Sequence, residues 1–98
     1  MKYKDKTNED LLTYFINQTF KMLKLYEEGN VYGHKHVHKT MLEFEYMPDF
    51  EHDYRSKLVL SKWETLYDEL YFRNGNHQDV KNLAMESMKL LEGIKEEL

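Results

Sequence analysis

Three long stretches of this chain repeat their apolar residues every three or four positions, a period that packed helices satisfy and few other structures do. The first carries Leu11, Leu12, Phe15, Ile16, Phe20, Met22, Leu23 and Tyr26 on one wide face, with Thr13, Asn17, Lys21, Lys24 and Glu28 as a polar stripe opposite. Asn8, followed by Glu9 and Asp10, reads as its N-cap, and Gly29 with Asn30 as its stop, which predicts a helix from about Asn8 to Glu28. The last stretch repeats Val80, Leu83, Ala84, Ser87, Leu90, Leu91, Ile94 and Leu98, with Asn76 as cap and Asp79 in the first turn. Gly93 interrupts it on the polar side, where glycine costs about 1 kcal/mol relative to alanine. The middle stretch, from about Phe50 to Phe72, lines up Val59, Trp63, Leu66 and Leu70, widened by Leu60, Tyr67 and Tyr71. Lys57, Ser61, Glu64 and Asp68 face water, Pro48 sits at the start or breaks the chain before it, and Arg73, Asn74 and Gly75 close it.

Residues 31–47 fit two periods. Val37, Met41 and Phe44 suit a helix, whereas Leu42, Phe44 and Tyr46 alternate with Glu43 and Glu45 as in a strand. A strand needs a partner, and the rest of the chain reads as helical, so a short helix from about His36 to Tyr46 is the favoured reading. The expected fold is all-α: a small antiparallel bundle of three long helices and one short one, in a single domain over 1–98 with 1–7 as a mobile tail.

Ninety-eight residues allow one core, and a 14% aromatic content supplies large side chains to fill it. No apolar run reaches the length of a membrane span, and the opening MKYKDKTNED lacks the apolar stretch of a signal peptide. Cysteine is absent, which removes disulfides and thiolate chemistry and suits a cytoplasmic location. Twelve of 14 basic residues are Lys, and with frequent Asn and Tyr this points to an AT-rich coding sequence, as in a low-GC bacterium or its phages. A net charge of -4 and only two arginines, Arg55 and Arg73, argue against nucleic-acid binding.

Two segments stand out chemically. His34, His36 and His38 alternate, and with His52 they offer imidazoles to zinc if the chain is extended; on a helix successive members fan about 200° apart. From Met41 to Tyr54 the chain has no Lys or Arg, but carries Glu43, Glu45, Asp49, Glu51 and Asp53 among Phe44, Tyr46, Phe50 and Tyr54. Acidic groups interleaved with aromatics suit a protein-docking surface, and Glu43, Glu45, Tyr46, Asp49, Glu51 and Asp53 are the candidate contact residues. Ser56, Ser61 and Ser87 lack a nucleophile elbow, the four glycines form no phosphate loop, and adjacent carboxylates point apart. Glu64 and Asp68 share a face, and Arg73 with His77 flanks a turn, but a wet helix face and two helix ends account for them. The leading expectation is a non-enzymatic binding protein, such as an adaptor, inhibitor or immunity-type factor, able to homodimerise. A metal-binding helical protein using the histidines is the alternative.

Overall fold

Thr7, not Asn8, opens the first helix. Its Oγ1 accepts the Asp10 N–H at 3.1 Å, and the Asp10 carboxylate accepts the Thr7 N–H at 3.4 Å. This reciprocal capping box needs an acceptor three residues beyond the cap; from Asn8 that position would be Leu11, which has nothing to return. In the computed structural model, which describes residues 7–47, 53–72 and 76–98, the box starts α1 (Asn8–Glu27). Then follow α2 (Gly33–Glu45), α3 (Tyr54–Phe72) and α4 (His77–Glu96). Among the described residues there is no strand, so the period-two reading of residues 42–46 is overturned.

The ends of the helices follow local chemistry. α1 stops at Gly29, whose φ of 73° lets the Gly29 N–H reach the Tyr26 carbonyl and the Asn30 N–H reach that of Leu25, a Schellman closure. α2 begins at Gly33, three residues before the expected His36, and no side chain caps it at Tyr32. α3 begins at Tyr54, four residues after the expected start, and Asp53 Oδ1 accepts the Arg55 N–H at 2.9 Å as a cap on its first turn. Pro48, Phe50 and the rest of 48–52 lie outside the described residues, as do Arg73, Asn74 and Gly75. Asn76 caps α4 as expected, accepting the Asp79 N–H at 2.9 Å.

α1 and α3 each pack against both α2 and α4. Three helices contribute one buried ring apiece to the centre. Phe44 of α2 meets Phe15 of α1 edge-on at 4.9 Å and Trp63 of α3 at 5.1 Å. α4 fills the rest with Val80, Ala84, Leu91 and Ile94. Val59, Trp63, Leu66 and Leu70 are buried as their spacing predicts. Three expected core residues are not: Phe20 is 49% exposed, Tyr71 and Leu98 more so. On α1 the inward position goes to Thr19, which is fully buried, and Phe20 lies one step of about 100° round the helix with Lys24 over its ring. Among the described residues no helix is long and apolar enough to cross a membrane.

Candidate docking surface on the second helix

α2 is built against its own dipole. Its first half carries Lys35, Lys39 and three histidines, and its last turn carries Glu43 and Glu45. A helix favours acids at its start and bases at its end, by about 0.3–1 kcal/mol per charge. α1 and α4 open in accord with that rule, with Glu9, Asp10 and Asp79 in their first turns, and in their last turns Lys24 and Lys95 stand beside Glu27 and Glu96. α2 lacks a side-chain cap as well, so packing of Val37, Thr40 and Phe44 is what holds it as a helix.

That packing fixes which side faces out. Lys35, His38, Lys39, Leu42, Glu45 and Tyr46 are exposed, Leu42 by 44% and Tyr46 by 78%. Tyr54, at the start of α3, is 71% exposed. Glu45 and Tyr46 therefore stand on the surface as a docking segment requires. Glu43 is half-buried and turned toward α1: both its carboxylate oxygens accept from the Tyr14 hydroxyl at 2.9 Å, and that hydroxyl accepts from Gln18 Nε2 at 3.0 Å. Asp53 is held by Arg55 at 2.7 Å, and the guanidinium keeps its carboxyl below the usual range. Asp49 and Glu51 lie outside the described residues.

The histidines divide between two sides of α2. His34 packs edge-on against Tyr67 and Tyr71 of α3, at 5.7 and 5.1 Å between ring centres, and its Nδ1 is buried with no hydrogen-bond partner. His38, one turn on, lies 6.2 Å from Tyr67. His36 turns to α1, where its Nε2 lies 3.1 Å from the Gln18 carbonyl, which accepts its N–H. Burial lowers the His36 pKa from 6.5, with Lys21 and Lys39 adding to the shift against the opposing pull of that carbonyl and Glu43. The helix thus separates the three imidazoles that an extended chain would align, and His52 is outside the described residues. Among the described residues no three His, Asp or Glu side chains gather closely enough to hold a metal ion.

No protein-family model, curated protein or solved structure matches this chain. What it offers a ligand follows from its side chains. Ser56 and Ser87 are buried, and the Ser87 hydroxyl donates to the Leu83 carbonyl at 2.7 Å. Glu64 and Asp68 are exposed on the wet face of α3, and His77 approaches Glu27 at 3.9 Å in the open. The feature that spacing missed is a row of rings: Tyr67 stacks on Tyr71 at 5.8 Å, and Tyr71 meets Phe72 at 4.9 Å. His34 and His38, like Tyr67 and Tyr71, are four residues apart, a signal that acquires meaning only once α2 is known to lie on α3.

Proposed function

We propose that the protein is a non-enzymatic, cytoplasmic protein-binding module that docks a partner through the outer face of α2 and the acidic, aromatic segment that follows it. The observation that carries this is the conflict between the charges of α2 and its dipole. A helix that gives up stability in its charge order, with Glu45 and the bare Tyr46 ring at its exposed end, is better explained by recognition than by folding. Tyrosine is a common anchor in interfaces, and carboxylates at the rim steer a basic partner toward it. Glu43 serves this surface from beneath, by tying α2 to Tyr14.

The scaffold that presents the surface is read as an antiparallel bundle. In support, the start of α3 meets the end of α4 through Arg55 and Glu97, and the start of α4 approaches the end of α1 through His77 and Glu27. Tyr14 of α1 reaches Glu43 near the end of α2, and His34 near the start of α2 meets Tyr71 near the end of α3.

The test separates binding from folding. Glu45→Lys corrects the last-turn charge, so thermal unfolding is expected to show a stability gain of about 0.3–1 kcal/mol. In quantitative affinity capture, a partner held by the wild type and by a Lys81→Glu control is expected to drop about tenfold or more with Glu45→Lys and with Tyr46→Ala. Equal capture by all four proteins overturns the proposal. A second copy of the chain counts as a partner, and sedimentation of the same variants reveals it.

A further inference from the structure

α3 and α4 are stapled together twice, and the surface between the staples is open. At one end Arg55 Nη2 meets Glu97 Oε2 at 2.7 Å; at the other Lys62 Nζ meets Glu86 Oε2 at 2.7 Å. Between them lies a slot of about 440 Å3, walled by Leu58 and Leu90. Leu58 is 43% exposed there, an apolar side chain with one flank bare. Gly93 also lines the slot, and a Cβ at that position would come within 3.3 Å of Arg55 Nη1. Glycine in a helix interior sacrifices stability relative to alanine, and here it keeps the guanidinium end of the slot clear.

The charges of the slot differ from those of the whole chain. Its lining holds three cations, Arg55, Lys62 and Lys89, against one carboxylate, Glu86, in a protein of net charge -4. Arg55 is satisfied by Asp53 and Glu97, and Lys62 by Glu86. Lys89 is exposed and makes no ion pair among the described residues. An open apolar slot with one cation at its edge that makes no ion pair has the complement of a single-chain aliphatic acid. A docked helix would need a separate pocket for each of its anchors, and two leucines do not provide them. We propose that this slot binds an aliphatic carboxylate, its chain between Leu58 and Leu90 and its head at the Lys89 ammonium.

The experiment titrates the full chain with dodecanoate below its micelle concentration and follows backbone amides by NMR. Dodecyltrimethylammonium and an acidic amphipathic peptide are the parallel probes. Saturable shifts are expected at Leu58, Lys89, Leu90 and Gly93, and Lys89→Glu is expected to weaken dodecanoate by about tenfold while the helical circular dichroism is unchanged. The same variant is expected to bind the cationic amphiphile no more weakly than the wild type does. Equal affinity of the wild type for both amphiphiles, equal dodecanoate affinity in the variant, or shifts spread over α1 and α2 overturn the proposal. Movement of these amides by the peptide alone overturns it too, and makes the slot a protein groove.

Discussion

Thr19 satisfies two groups inside the core at once. Its hydroxyl donates to the Phe15 carbonyl at 2.8 Å and accepts the Trp63 indole N–H at 3.2 Å. Thr19→Val keeps the volume and strands the indole N–H, so a loss of about 1–3 kcal/mol is expected in urea denaturation, with Thr19→Ser recovering most of it. Spacing alone assigned this inward position to Phe20, because hydropathy ranks phenylalanine above threonine. A bond between residues 44 apart leaves no mark in a local pattern. His36 is a second residue whose role is set by its surroundings. Because burial lowers its pKa, the unfolded chain takes up the proton first as pH falls. Its contribution to stability is whole above 6.5 and declines as pH drops through 6.5 toward the lowered folded value. His36→Gln is expected to flatten the dependence of melting temperature on pH between about 7 and 5, measured by circular dichroism.

Among the elements, α2 is the one whose sequence argues least for its structure. The start of α4 and the close of α1 were legible because Asn76, Gly29 and Asn30 act within a few residues of themselves. The state of α2 was not, since Leu42, Phe44 and Tyr46 satisfy period two while Val37, Met41 and Phe44 satisfy a helix. Phe44 decides the matter by fitting between Phe15 and Trp63, a contact that spans three helices. The acidic, aromatic segment was legible as composition, but exposure divides it: Glu45 and Tyr46 face out, Glu43 faces Tyr14, and Asp53 is taken by Arg55. An uncapped helix with adverse charges should open before its neighbours. Hydrogen exchange is expected to be faster at the α2 amides than at those of α4. Lys35→Glu, which supplies an acid to the first turn, is expected to slow it and to add about 0.3–1 kcal/mol of stability.

The whole molecule measures 36 × 23 × 17 Å with a radius of gyration of 12.9 Å, close to the roughly 13 Å of a packed chain of this length. That compactness places the start of α3 beside the end of α4, where Arg55 joins Asp53 and Glu97. Arg55→Gln is expected to speed exchange in the last turn of α4 and leave α1 unchanged. Because Arg55 depresses the Asp53 pKa, the clamp holds above the usual carboxylate range and releases as pH falls through the lowered value. Helix number and all-α class were legible from periodicity, but the partnering of helices was not, and with it went the ring row of His34, Tyr67 and Tyr71. The chain has a single tryptophan, and it is sealed from water where α1, α2 and α3 converge. Its fluorescence is therefore an intrinsic gauge of the core. A ligand that settles on the outer face of α2 should leave the emission colour unchanged, whereas one that peels α2 away should redden it, and no label need be attached to tell the two apart.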